Sequence, residues 1–502
     1  MQLIDNIMQR LGYHKPMPRR DYDIARVDRL TSSFKAPITT GDAELRYSLA
    51  TARARSRELE RNNDYARKFL SMCEVNVVGK AGFTLQNKAQ DPNGKPDKAA
   101  NDKIEWEWWE FCKKGNCTVD GRLSFLGVQK LFIRSVARDG EFLARKIRGF
   151  KNPWRFALQI LEPDVLNEQL NVEAAYGKNK IRMGIEYDEW DRPVAYHLRK
   201  KHPGDAYTTL VGANTEYIRV PASDMIHCYI PQRSTQGRGV PWMHTAGRRL
   251  NQVGEYEYTE VIAARAGASK MGFYEKKDPA MGGFPAADET DAQGNPISHV
   301  EAGFIEKLPD GWTFKEFNPD HPTAQFGAFI KGSLRGVASG LGVSYNSLAN
   351  DLEGVNYSSM RIGAIDERDN WKTLHEWMIE DFLNGFFADW LSMTLLTDRL
   401  SLPYAKFDKF NKPEWRGRIF DWVDPEKDIE AELKCVRAKW KTERQVVLER
   451  FNMDLEDLYA QIAEEKKLKA KYGITSDLGE SVGKLTGTTP GQEKPAGGED
   501  DE

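Results

Sequence analysis

The side chains best suited to nucleophilic or metal chemistry are five cysteines, Cys73, Cys112, Cys117, Cys228 and Cys435, and eight histidines. A tetrahedral zinc site is closed by paired Cys or His ligands at short spacing. Cys112 and Cys117 are separated by four residues with no second pair to complete them, and the HExxH pattern is absent. Two thiols without a metal are the expectation. None of His14, His197, His202, His227, His244, His299, His321 and His375 lies in a GxSxG or reactive-cysteine setting that would give a base its nucleophile. His197 and His227 fall in strand-like surroundings, where a structural role is expected. The string GESVGKL at 479–485 has the wrong spacing for a phosphate-binding loop and lacks Ser or Thr after Lys484. The chain is therefore not expected to hydrolyse ATP.

Carboxylates leave one catalytic reading open. Asp351, Glu353, Asp366 and Glu367 are close in sequence, and clustered acids in a cleft can hold divalent metal for nucleic-acid hydrolysis. Against this metal-dependent hydrolase stands their distribution over a loop and a charged helix, which supplies no clustering. No cofactor is expected.

The elements that must position these residues belong to a soluble, multi-module chain. Its 502 residues carry 72 Lys+Arg against 75 Asp+Glu, a formal charge of -3, and 40% hydrophobic residues. Such a length buries a core without staples, and the odd, scattered cysteines suit a reducing cytoplasm. No window has the 18 or so apolar residues of a membrane helix, and the N-terminus lacks a signal peptide's apolar region. Near-zero charge argues against strong phosphate gripping, so DNA contact should be local or weak.

Local patterns predict an α+β organisation. Residues 43–78 read as one or two helices with Leu45, Leu49, Leu59, Phe69 and Met72 inward and arginines between them, either as a solvated face or as a basic surface toward an acidic neighbour. Residues 91–98 form a turn-rich loop, followed by a helix with Trp106, Trp108 and Trp109 expected to pack. A helix is predicted over 126–138, and strands over 141–147, 156–161, 181–187 and 194–198, the last two flanking a turn at 188–192. Residues 242–267 form a helix, 278–298 a loop, and 304–308 and 313–317 strands. The helix 323–340 carries Gly327, Gly332, Gly336 and Gly340, at nearly 1 kcal/mol each relative to alanine, and needs close neighbours. A polar loop over 343–357 precedes a long helical pattern over 358–396, with kinks expected at Gly363 and Asn384-Gly385. Residues 428–471 are charged and helical, and the acidic tail from 477 is expected to be disordered.

Several strings, in order, resemble one family: ARARSRELERNNDYA (52–66), 139–141, QILEPD (159–164), GIEYDEWDRPVAYH (184–197), VPASDMIHCYIPQRSTQGRGV (220–240), GLGVSYNSLAN (340–350) and YSSMR (357–361). They are similar to the portal proteins of tailed bacteriophages, of the lambda type, over roughly 43–472.

The resemblance implies a virion protein at one capsid vertex, assembled in the host cytoplasm. It would form a homo-oligomeric, dodecameric ring through which double-stranded DNA is packaged and ejected. Its implied partners are terminase, head-completion adaptor or tail proteins, and the major capsid and scaffolding proteins, with no membrane. The implied portal fold has an N-terminal arm (1–42), an α+β wing (43–240), a first stem helix (241–269), a clip (270–321), a second stem helix (322–341), a tunnel loop (342–357), a wing return helix and strand (358–427), a crown (428–475) and a tail (476–502). Within that frame the residues expected nearest DNA are Lys331, Arg335, Asn346, Asn350, Asp351, Glu353 and Asn356. The alternative for Lys331 and Arg335 is salt bridging between subunits.

Overall fold

The structure is a computed structural model describing residues 29, 38–174, 178–205, 216–268, 272–276, 289–290, 296–297, 312–316, 325–354, 356–420, 424–451 and 453–473. The expected arm before residue 38, apart from residue 29, most of the expected clip, the predicted strand 304–308 and the tail fall outside these residues.

Helices begin where capping side chains satisfy free backbone N–H groups. The 43–78 pattern forms α1 (Gly41–Asn62), α2 (Asp64–Cys73) and a π-helical turn (Glu74–Val78). Asn63 interrupts the run because its side chain accepts from the N–H of Ala66 at 3.0 Å and starts a new helix. Strand β1 (Thr84–Asn87) is followed by α3 (Lys98–Cys112), capped by Asp97, and α4 (Phe125–Asp139), capped by Ser124 and ended by Gly140 in the left-handed conformation at φ 93°. Strands β2 (Phe142–Arg148) and β3 (Phe156–Leu161) follow. The expected strand 181–187 is instead two, β4 (Lys180–Arg182) and β5 (Ile185–Tyr187), because Met183 and Gly184 turn the chain at φ 46° and 85°. Then come β6 (Pro193–Arg199), β7 (Tyr217–Pro221) and β8 (Met225–Cys228).

The helix expected over 242–267 begins as a 3-10 turn, and its α-helical part is α5 (Gly247–Ala268). Strand β9 (Gly272–Lys276) precedes the short strands β10 (Glu289–Thr290) and β11 (Pro296–Ile297), which pair within the expected loop. β12 (Trp312–Glu316) pairs with β9. α6 (Phe326–Leu341) matches the glycine-rich pattern. The expected polar loop starts as a helix, α7 (Tyr345–Ala349), because Ser344 caps it by accepting from the N–H of Ser347 at 3.3 Å. The long pattern becomes α8 (Tyr357–Met378), a π-helical turn (Ile379–Leu383) and α9 (Asn384–Leu395). Its irregularity thus sits just before Asn384-Gly385, whereas Gly363 lies in regular helix. After α10 (Phe407–Phe410) and β13 (Pro413–Arg416), the charged region forms α11 (Pro425–Arg437), α12 (Glu443–Phe451) and α13 (Leu455–Tyr472).

The chain divides into two compact units, and the 43–240 stretch contributes to both. The first unit contains Met1–Ala52, Asp164–Ser223 and Tyr229–Val240, with the antiparallel sheet β4-β5-β6-β7. Its organiser is Arg238, fully buried, which donates to the carbonyls of Leu166 and Met183 at 3.4 and 3.1 Å. The adjacent Gly237 donates its N–H to Asp42 at 2.7 Å, and burial pushes the Asp42 carboxyl upward despite that bond. A Cβ at Gly237 would stand 2.3 Å from the Tyr187 hydroxyl, so only glycine fits without a shift.

The second unit holds the sheet β3-β2-β8, the pair β1-β13 and most of the helices. Trp108 centres its core, with edge-on contacts to Phe125, Phe387, Trp390 and Trp415. Each such buried aromatic side chain contributes on the order of 2–3 kcal/mol by transfer from water. The packing expectation holds for Trp108 alone of the three tryptophans, since Trp106 and Trp109 are 58% and 53% exposed. The arginines of α1 are not all on a solvated face either. Arg53 is 1% exposed, and its guanidinium lies 3.2 Å from Glu141, whose other oxygen meets His227 Nε2 at 2.9 Å.

Candidate functional site: the junction of α6, α7 and α8

α5 and α6 run antiparallel within the second unit. Thr245 near the start of α5 donates to the carbonyl of Gly340 at 3.0 Å, while Tyr256 farther along packs on Phe326 and Phe329. Gly336 faces Arg249, whose guanidinium would have to swing away to admit a Cβ. The glycines of α6 thus divide into two sets. Gly336 accommodates Arg249 of α5 and Gly340 the Thr245–Ala246 turn that leads into it, whereas Gly327 and Gly332 have open space at the Cβ position.

The next turn of chain is tied back onto α6. Lys331 Nζ pairs with Asp351 Oδ2 at 2.8 Å, and the Tyr345 hydroxyl donates to the same oxygen at 2.7 Å. The other carboxylate oxygen, Oδ1, accepts from the N–H of Glu353 at 2.9 Å. These donors, with Lys331 foremost, hold the Asp351 carboxyl down at about 2, and the carboxylate raises Lys331 in turn. Burial, reinforced by Asp351, pushes the Tyr345 phenol upward. Arg335, one helical turn beyond Lys331, places its guanidinium 5.6 Å from the Tyr345 ring centre. Asn350 ends α7 in the left-handed region at φ 52°, a conformation that asparagine tolerates better than most residues.

Of the seven residues predicted to lie nearest DNA, Lys331, Arg335 and Asp351 are therefore joined through Tyr345 within one chain. Asn346 and Asn350 line an adjoining groove of about 560 Å³, with Lys68, Glu367, Arg368 and Arg418 among its other walls. Glu353 is exposed on the turn after Asp351, and Asn356 is exposed just before α8. Tyr345, the hub, was not among the predicted residues. The signal available for it was the Ser344-capped YNSLA string, which turns the start of the loop into a helix.

The four acids of the hydrolase reading do not converge. Asp351 is occupied as described, and Glu367 accepts from Ser347 at 3.0 Å and from the Trp371 indole at 3.3 Å. Glu353 and Asp366 are exposed, and among the described residues the four form no group spaced to share one metal ion.

Comparison with known proteins gives a consistent answer. The family model for phage portal proteins of the lambda family matches residues 27–375. A probable portal protein of Halomonas phage phiHAP-1 is 38% identical over 474 residues, covering 93% of this chain and 90% of that protein. The portal protein of Escherichia phage N15 is 20% identical, and portal protein B of Escherichia phage lambda 19%, each covering 88% of both chains. Among solved structures, a neck chain of an empty gene transfer agent particle superposes with a TM-score of 0.42 at 13% identity, covering 84% of this chain and 97% of that one.

Proposed function

This chain belongs to the lambda family of phage portal proteins, and from that premise we propose that twelve copies close into a ring whose lumen conducts double-stranded DNA during packaging and ejection. The protein is a phage portal, the head-to-tail connector of its virion. In the proposed ring, α5 and α6 are the stem, β9 to β12 belong to the clip, the 342–357 segment faces the lumen and α11 to α13 form the crown. The wing comprises 43–240 together with the return segment 358–427. Terminase docks at the clip and supplies the energy for DNA movement, adaptor or tail proteins follow it there, and capsid and scaffolding proteins surround the ring during assembly in the host cytoplasm. The portal itself catalyses nothing.

The observation that carries the lumenal reading is the tie between Lys331, Asp351 and Tyr345. It holds a polar ledge against a helix that still has open glycines and an exposed Phe329, surfaces suited to a neighbouring subunit. The ledge presents Asn346, Asn350, Glu353 and Asn356, while the charges of Lys331 and Asp351 offset each other. Such a lining contacts phosphate weakly and lets DNA slide. Substituting Asp351→Lys together with Glu353→Lys should leave rings intact but impair DNA packaging or retention. The charge-matched pair Asp102→Lys and Glu189→Lys should not. Normal packaging by the doubly substituted ledge would remove its assignment to the lumen.

A further inference from the structure

The helix α13 is 18 residues long, and none of them is buried. Its start is fastened, because Asp454 accepts from Gln86 at 2.7 Å and pairs with Lys88 and Arg416. Beyond that anchor, Tyr459 keeps a bond to Glu443 at 2.7 Å yet is 51% exposed, and Ile462, Leu468 and Tyr472 are 38%, 54% and 68% exposed. A helix of this length is marginal in water without tertiary packing, so such a surface calls for a cover.

The exposed apolar residues do not form one stripe. At about 100° per residue, Tyr459 and Ile462 share one face with Lys466 and Lys469, while Leu468 and Tyr472 lie about 130° away with Asp457, Glu464 and Glu465, and with Lys471 at the end of the helix. One face is apolar with a basic continuation, and the other is apolar with a flank of three acids and one lysine, acidic in net charge. Within the chain, Lys469 pairs with Glu465 at 2.7 Å, while Asp457, Glu464 and Lys466 project into solvent. A two-fold dimer needs a single self-complementary face, whereas a ring needs two different faces that fit each other, one toward each neighbour.

We infer that α13 is a ring-closing element in which the Ile462/Lys466 face of one copy packs on the Leu468/Glu464 face of the next copy's α13. This rests on the ring reading above and adds to it the particular surfaces that meet. The contact is heterologous and joins opposite charges at every junction, so a closed set of copies covers both apolar faces of every α13.

The experiment uses full-length chains and sedimentation at low ionic strength. Lys466→Glu with Lys469→Glu, and separately Asp457→Lys with Glu464→Lys, should each cause loss of the ring at concentrations where the parent is fully assembled. Combining all four changes should restore it, because each junction again joins opposite charges. In rings of a Cys435→Ser chain, Ile462→Cys with Leu468→Cys should cross-link into ladders reaching the full ring, whereas either cysteine alone should not. A parent that stays monomeric overturns the ring reading itself. Parent rings that persist unchanged in both charge variants, or that give no ladder, overturn the α13 pairing while leaving the ring reading in place.

Discussion

Two clusters in the second unit use the same chemistry with opposite consequences. In the core, Arg53 of α1, Glu141 just before β2 and His227 of β8 have side chains 1%, 0% and 3% exposed. At the α6–α7 junction, Lys331 and Asp351 keep 34% and 21% of their side-chain surface in water. Water can replace either partner at the junction, so that pair positions a ledge at little cost to the fold. Nothing can replace Glu141. The cluster that holds the fold together is therefore the one that a DNA molecule cannot reach, and the cluster proposed for the lumen is the one whose bonds can exchange.

The largest expected effect tests the buried side. Glu141→Ala removes the carboxylate that faces both the buried Arg53 guanidinium and His227, and breaking a buried pair in this way destabilises by about 3–5 kcal/mol. Chemical denaturation of the variant should show a loss of that order. A loss under about 1 kcal/mol would mean that water enters the site, and the contrast between the two clusters would fail.

The contrast also explains what the sequence made legible. Helices such as α4 and the hairpin turn between β5 and β6 rest on local period and turn chemistry, which a linear string displays. The arginines between Leu49 and Leu59 read as a solvated face or as a basic surface toward an acidic neighbour, and a buried bond was not legible because Arg53's partner Glu141 lies 88 residues away. The ledge was readable as a polar segment bearing Asn350, Asp351 and Glu353, but not its tie to α6. Tyr345 reads as an ordinary aromatic until Asp351 turns back onto it, and α7 hides in a polar composition because a single serine cap decides it. Met183 at φ 46° gave no warning either, since a non-glycine residue there is uncommon.

A smaller effect is expected at the end of α7. Asn350→Ala puts a residue with a Cβ and no compensating polar group in the left-handed region, at about 1 kcal/mol, while Asn350→Gly should be neutral or better. The measurement is the stability difference between the two variants. Equal stabilities would show that the turn relaxes to another conformation, and that the ledge is softer than its bonds to Lys331 imply.

The smallest effect is on the acid side of the titration of the exposed cluster. The Asp351 carboxyl is held at about 2, below the unfolded value near 3.9, by Lys331, Tyr345 and the Glu353 N–H. A carboxyl depressed on folding contributes stability that is fully present above about pH 4 and is lost as the pH falls through about 2, because the unfolded chain takes up the proton first. With both partners in contact with solvent and screened by salt, the contribution is slight. The visible consequence should be local. Carbon-detected titration of the Asp351 carboxyl in the parent should give a midpoint near 2, and Lys331→Met should move it up further than Tyr345→Phe, since the lysine is the larger cause. An Asp351 that titrates near 3.9 in the parent would mean that the tie is open in solution. The ledge would then be held by α7 and the backbone alone, and Lys331 would stand available to phosphate.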